Sequence, residues 1–360
     1  MGAALQGLYD PALYDAGRLE PSWWEESTGP ARPHFAPLAG DCDTDVAIIG
    51  GGYTGLSAAY HLARDHGIGA VVLEAGEIGW GASGRNAGFA CLGAGADPQF
   101  LVKRYGLDAT RAFYAAQAAG IALPRTIAAR EGFDIETHGD GILTVAHAPH
   151  AFKSLTEELA DNARLLPDVP LRLVTRDEFR ANGFDATEQF GALHVGCGYG
   201  LNPLRLVFGL AESAARAGAR IHPRSGVIAW RRADGLHEIL TDQGRVRARR
   251  VIVAGNGFLP EHLDARLKGL MLPVMSNIIV TRPLSADEVK ALAYVTACPA
   301  SNTRTLLYYF RLLPDGRFLF GGRGDFSGTP EAHAVMRATL TRGFHSVFPH
   351  WRDVAITHSW

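Results

Sequence analysis

Hydrophobic and polar positions in this chain follow two periods, and the places where the period changes mark its elements. Asp45-Val-Ala-Ile-Ile-Gly-Gly-Gly-Tyr-Thr-Gly55 opens on a short apolar run. Val46, Ile48 and Ile49 predict a buried parallel strand. The run breaks at Gly50-x-Gly52-x-x-Gly55, after which Leu56, Ala59, Tyr60, Leu62 and Ala63 recur at helical spacing on a small apolar face. A second apolar run, Ala70-Val-Val-Leu73, follows at βαβ distance and ends in Glu74, nineteen positions after Gly55. Further on, Asp97-Pro98 predicts a helix start, with two helices over about 98–131. Lys153–Leu165 and Pro203–Ala217 predict helices. Gly141–Val145, Gly191–Val195, Pro273–Thr281, Val227–Trp230, Glu238–Thr241 and the run Arg250–Asn256, a buried parallel strand, predict strands. Tyr308–Gly322 predicts a hairpin turned by Pro314-Asp315-Gly316, and Val354–Trp360 a last strand.

The glycines carry chemistry as well as shape. Gly50 allows a tight turn, Gly52 lets the backbone approach a pyrophosphate, and Gly55 lets the helix pack close to the strand. The unpaired N–H groups at the helix start, including those of Tyr53 and Thr54, form an anion site with the positive end of the helix dipole. Glu74, followed by Ala75, stands where an acid accepts hydrogen bonds from a ribose 2′-OH, which disfavours a 2′-phosphate. Glycines alone are weak evidence, because an ordinary βαβ turn shares them. The helix face, the second strand and the acid together favour a dinucleotide.

Composition narrows the class. At 360 residues the chain exceeds one ordinary core, so two domains are expected. With 47% apolar and 20% charged residues and a net charge of −2, it reads as a globular enzyme with no nucleic-acid partner. The basic run Arg245–Arg250 reads as a solvated hairpin edge. Cys42, Cys91, Cys197 and Cys298 form no CxxC pair and the fourteen histidines form no HExxH pattern, so no metal site is expected. No apolar run is long enough to span a membrane and no leader pattern opens the chain, which makes the cytoplasm the default. Trp23-Trp24 is too apolar for a free tail, so residues 1–44 are expected to pack on the body, although the Pro-rich Gly29–Pro37 forms no regular element.

The segment after Glu74 separates FAD from NAD. Glu77-Ile-Gly-Trp-Gly-Ala-Ser-Gly-Arg-Asn-Ala-Gly-Phe89 cannot pack as a core element but can lie against a ligand, with Ser83, Arg85 and Asn86 as polar contacts. With Leu73-Glu-Ala-Gly ahead of it, this wording resembles the FAD-dependent D-amino-acid-oxidase-like family, most closely its γ-glutamylputrescine oxidase branch. The resemblance implies an α/β fold: a doubly wound, Rossmann-like FAD-binding domain and a second domain on a mixed or antiparallel sheet. It implies that Ser83, Gly84, Arg85, Asn86 and Gly88 run beside the pyrophosphate and the flavin ring, and that Val227 and the Ala254-Gly255 turn touch the ADP half. Some relatives carry a flavin-bonding His near Asn86; Arg85-Asn86 here implies non-covalent FAD. The corresponding division is an extension over 1–44, an FAD domain of 45–96 with about 196–260 and 322–360, and a substrate domain of about 97–195 and 261–321. Relatives continue for several dozen residues past the position of Trp360, so this chain reads as a fragment or a short form.

The implied activity is oxidation of the C–N bond of an amine or amino acid. A hydride passes to flavin N5, the imine hydrolyses, and oxygen is reduced to hydrogen peroxide. A dehydrogenase using another acceptor and a flavin-binding module without turnover are the alternatives. Period-two alternation sets Tyr309 and Arg311 on one face of the hairpin. A buried basic residue there either anchors a substrate carboxylate, as strand arginines do in relatives, or makes a salt bridge at a domain edge; the residues alone leave both open.

Overall fold

In this computed structural model, which describes residues 9–29, 32–93 and 97–360, the two periods become two large sheets. Pro30 and Ala31 of the Pro-rich stretch and Ala94–Ala96 lie outside the described residues. Helix α1 (Trp23–Thr28) precedes β1 (Cys42–Ile49), α2 (Tyr53–His66), β2 (Ala70–Leu73), α3 (Ala82–Arg85) and β3 (Phe89–Cys91). Then come α4 (Pro98–Tyr105), α5 (Leu107–Glu131), β4 (Ile142–Val145), α6 (Pro149–Leu165), β5 (Leu171–Val174), α7 (Arg176–Asn182), β6 (Ala192–Val195), β7 (Gly198–Gly200) and α8 (Pro203–Arg216). After them run β8 (Arg220–His222), β9 (Ala229–Ala233), β10 (Leu236–Thr241), β11 (Gly244–Val253), β12 (Ser276–Pro283), α9 (Ala286–Ala291) and β13 (Ala300–Asn302). The order ends with β14 (Tyr308–Leu312), β15 (Arg317–Arg323), α10 (Pro330–Val347) and β16 (Ile356–Ser359).

The first sheet has the order β8-β2-β1-β11-β10-β9. Its first four strands are parallel, and β10 runs antiparallel to both β11 and β9. Helix α2 returns from β1 to β2 and packs against α8, with Leu56, Ala59 and Tyr60 against Leu204, Val207 and Ala211 in one cluster. The second sheet has the order β16-β12-β15-β14-β13-β4-β6-β5, all antiparallel except β13 with β4. The two sheets share a core: Ile278, Val280, Leu319 and Trp360 of the second join Ile48 and Val72 of the first.

Three expectations change. Residues 322–360 belong with the second sheet, because β16 pairs with β12 and Phe344, Phe348 and Trp351 fill that sheet's core with Phe310 and Phe318. The basic run lies in the second strand of the β10–β11 hairpin with its arginines solvated, as expected, but β11 is an interior strand of the first sheet and not an edge. The parallel register sets alternating arginines opposite alternating acids of β1 and of the residue before it: Arg245 lies 2.7 Å from Asp41, Arg247 2.8 Å from Asp43 and Arg249 3.9 Å from Asp45. The end of β11 is only half-buried, and Val253 is exposed where it lines a cavity, whereas full burial was expected.

Residues 1–8 of the extension lie outside the described residues; its described part packs on the body. Trp24 is 2% exposed, and its indole N–H donates to the Asn86 carbonyl at 2.9 Å. Trp80 donates in turn to the Arg18 carbonyl at 2.9 Å. Trp24→Ala should therefore cost about 3–5 kcal/mol, the usual range for deleting a buried aromatic. Urea denaturation measures it, and a change below about 1 kcal/mol would mean that the extension only rests on the surface.

Candidate functional site

The turn after β1 is built around a close approach of two backbones. Gly50 has a φ of +109°, and a Cβ there would lie 2.5 Å from the Ala254 carbonyl oxygen at the end of β11. A Cβ on Gly55 would lie 2.0 Å from the Gly50 carbonyl oxygen, so α2 can cross β1 only at glycine. Gly52 is the N-cap of α2 and offers no side chain to cap it. The first-turn N–H of Tyr53 is taken by the Ser83 hydroxyl at 3.0 Å, which holds an oxygen where a phosphate oxygen would bind.

Around this turn lies a slot of about 140 Å³. Gly50–Gly52, Glu74 and Ala75 form one wall, Gly79–Ser83 a second, and Val227 with Ala254–Asn256 a third. Gly52, Ser83, Ala254 and Gly255 also line a wider cavity of about 620 Å³, so the two adjoin. Glu74 sits at the end of β2. Its Oε2 accepts from Gly51 N–H at 2.6 Å and its Oε1 from Gly76 N–H at 3.0 Å. Burial pushes its carboxyl above the ordinary value, against the backbone N–H groups of Gly76, Gly51 and Ala75. A carboxylate has about four lone-pair sites, so acceptor capacity remains for two hydroxyls. The glycine cradle, the helix start and the acid all fit the ADP half of FAD.

The rest of the expected segment is distributed differently. Gly84 is a packing glycine, whose Cβ would lie 2.0 Å from the Gly79 carbonyl oxygen. Arg85 turns from the slot and lies over the Trp80 and Phe258 rings, 5.2 and 5.8 Å from their centroids. Asn86 closes α3, donating to the Ala82 and Ser83 carbonyls and accepting from Gly88 N–H at 2.8 Å. Gly88 is pressed between the Leu201 carbonyl and Arg311, where its Cβ would fall 2.0 and 2.6 Å away. Tyr53 and Thr54 line the wide cavity and also a third one, beside β3.

Sequence reasoning missed several walls of the slot. Tyr14 and Ala16 come from the extension, and Phe258, Leu259 and Leu263 from the loop after β11. No period marks a loop that folds back over a ligand. The Trp80–Phe258 contact, with ring centroids 4.9 Å apart, joins stretches far apart in the chain.

Tyr309 and Arg311 lie on the face of β14 that meets the shared core. Arg311 is 1% exposed, yet none of the ion pairs among the described residues includes it. Its Nη2 donates to the Leu201 carbonyl at 2.6 Å, Nη1 lies 3.4 Å from His138 Nε2, and Nε is buried without a partner. Burial lowers the guanidinium to about 9. No carboxylate lies within ion-pair distance of Arg311 among the described residues; Glu136, whose charge acts on it from farther off, pairs with Arg205 instead. His138 Nδ1 lies 3.3 Å from the Glu136 carbonyl and Nε2 3.1 Å from that of Leu312; a neutral ring donates at only one of the two. Burial first, and then the Arg311 charge, lower His138 from 6.5 to about 4, so it is neutral at pH 7. Tyr309 is pushed up to about 12 by burial, and its hydroxyl lies 2.7 Å from Ser276 Oγ.

The sequence profile described as FAD dependent oxidoreductase (DAO) matches residues 45–360. The chain is 31% identical over 327 residues to gamma-glutamylputrescine oxidoreductase of Escherichia coli strain K12, covering 91% of this chain and 75% of that protein. Its structure superposes on glycine oxidase from Geobacillus kaustophilus with a TM-score of 0.66 at 22% identity, over 88% of this chain and 81% of that one. Iminodiacetate oxidase from Chelativorans sp. BNC1 gives 0.65 at 21% identity, over 87% and 81%. No helix among the described residues is long and apolar enough to cross a membrane.

Two outcomes are expected from this geometry. Glu74→Gln keeps the shape but removes the charge, and charged hydrogen bonds are worth roughly 1.5–3 kcal/mol. FAD should bind about tenfold more weakly or worse, read by flavin fluorescence on titration; an unchanged constant would make Glu74 only a turn residue. Separately, the native His138 pKa of about 4 lies below its ordinary value of 6.5, so its contribution to stability is complete above 6.5. It is lost as pH falls from 6.5 toward 4, because the unfolded chain takes the proton first. His138→Gln should flatten that part of the melting-temperature profile; an unaltered slope would show that other groups carry it.

Proposed function

The chain belongs to the FAD dependent oxidoreductase (DAO) family, and from that premise we propose that it oxidises the C–N bond of a small amine or amino acid. FAD is the cofactor, and we take it to be held without a covalent bond, since Arg85 stacks on aromatic rings and the Asn86 side chain is engaged with backbone. When bound, FAD supplies the acceptor for the hydride leaving the carbon next to nitrogen. The glycine turn and Glu74 hold its ADP half, and the Asn86–Phe89 segment lies between that slot and Arg311.

The observation that carries the substrate reading is the buried Arg311 without a counter-ion. A buried charge is costly unless it is paired, and the two protein acceptors leave Nε free. A carboxylate beside the reacting carbon would complete the set. It reaches Arg311 only if a covering ring moves; Trp24 and Phe89 lie 5.4 and 5.9 Å from the guanidinium carbon. Tyr309 stays protonated at any working pH, so it orients by hydrogen bonding and does not take the amine proton.

Anaerobic addition of amines to the FAD-loaded protein tests the reaction by bleaching of the flavin absorbance. Peroxide release in air, against dye reduction without oxygen, separates an oxidase from a dehydrogenase. Arg311→Ala should lower kcat/KM for carboxylated amines at least tenfold, given roughly 1.5–3 kcal/mol for a charged hydrogen bond. Simple amines should change less than threefold, by the same reasoning that they never form the pair, and the flavin spectrum should stay as it is. Equal losses for both substrate types would return Arg311 to a structural role.

A further inference from the structure

A cavity of about 660 Å³ opens beside β3, between α2, α5 and α8. Its walls are largely apolar: Ile121, Leu123 and Pro124 from α5, Leu206 and Leu210 from α8, and Phe89, with the uncharged Thr54, Ser57 and Asn86 among them. None of the described residues lining it is Lys, Arg, Asp, Glu or His. One polar group stands out. Gln117 accepts from Gly93 N–H through Oε1 at 3.0 Å, which fixes its amide, and its Nε2 is buried with no partner among the described residues. The groove adjoins the rest of the site at both ends, with Tyr53 and Thr54 as a shared wall at one and the Phe89 ring as the partition at the other. Tyr53 and Thr54 line it and also the cavity next to the cofactor slot. Phe89 lies 5.9 Å from the Tyr309 ring and 5.9 Å from the Arg311 guanidinium carbon.

We infer that this groove binds the uncharged, largely apolar arm of the substrate, with Gln117 donating a hydrogen bond to a carbonyl or hydroxyl oxygen on that arm. The inference rests on the amine-oxidising reading above. A charged end would have no counter-ion in the groove and would be desolvated against Leu206 and Leu210. An apolar arm loses nothing there, and an arm with one acceptor satisfies the amide that is now orphaned. The arm thus selects among amines whose reacting ends are identical, and rejects those with a second ammonium.

Gly120 provides the test. It lines the groove in the interior of α5, and a Cβ built on it meets nothing within 4 Å. Gly120→Leu therefore fills the groove while favouring the helix. The FAD-loaded protein is assayed with propylamine, hexylamine, N-acetylputrescine and cadaverine, each also as its N-carboxymethyl derivative. The native protein should give kcat/KM at least tenfold higher for the hexyl and acetyl compounds than for cadaverine. Gly120→Leu should lower the values for the long uncharged compounds at least tenfold and leave propylamine within twofold. Gln117→Leu should lower N-acetylputrescine severalfold and spare hexylamine. Cadaverine used as well as hexylamine, or long amines indifferent to Gly120→Leu, would overturn the inference and leave the amine-oxidising reading standing. Loss of FAD in Gly120→Leu would assign the groove to the flavin, and a changed sedimentation coefficient would assign it to a subunit contact; either overturns it. If no compound bleaches the flavin, the amine-oxidising reading falls and this inference with it.

Discussion

The Ala254 carbonyl occupies the space that a side chain at position 50 would need, and the slot proposed for the cofactor depends on that approach. Because β1 and β11 are adjacent and parallel, their ends arrive together, and a single methyl group at Gly50 would force them apart. With the two ends held together, Gly52 starts α2 at the slot, and Ser83 can reach the first-turn N–H. Glu74 reaches the same turn from β2 through Gly51. A slot of this kind is made of backbone, so its specificity for a dinucleotide lies in shape and in N–H direction more than in side-chain charge.

Burial acts on the charged groups around the shared core in one direction, toward neutrality. It raises the Glu74 carboxyl and lowers the Arg311 guanidinium and the His138 ring. None of these is compensated by an ion pair with the others; each leans on backbone groups instead. Contrast the outer face of the first sheet, where Arg247 and Asp43 meet in solvent and gain little, since exposed pairs are worth at most about 1 kcal/mol. Most paired charges lie at the surface, with buried Glu238, which pairs with Arg231 and Arg245, as an exception; of the three groups pushed toward neutrality, Glu74 lines the slot.

The sequence made the first domain legible because its signals are local. A strand, a glycine turn, a helix face and an acid fall within about thirty residues, and the structure arranges them as βαβ geometry requires. The hairpin of β14 and β15 was equally legible through Pro314-Asp315-Gly316. What failed were inferences about partners distant in sequence. Residues 322–360 look like any strand and helix, and only the aromatic core of Phe310, Phe318, Phe344 and Trp351 decides which sheet they join. Arg245–Arg250 reads as an edge until Asp41, Asp43 and Asp45 are seen opposite. Arg311 had two readings, and burial without a carboxylate favours one of them.

The two domains are thus not independent units joined by a linker. Trp24 from the extension, Trp360 from the second sheet and the Arg85-Asn86 backbone meet at one point: each indole donates to one of those two carbonyls, and the rings pack edge to face 6.1 Å apart. Those carbonyls end α3, the short helix whose start carries Ser83 to the slot. A change in the packing of either tryptophan therefore acts on the cofactor turn and on the cover over Arg311 together, because Trp24 belongs to both. The reacting end of a substrate would be handled where these pieces converge, while the groove along α5 and α8 lies to one side, outside the contact. The groove shares Tyr53, Thr54, Asn86 and Phe89 with these pieces, whereas Gly120 on α5 stands apart from them, since a Cβ there meets nothing within 4 Å.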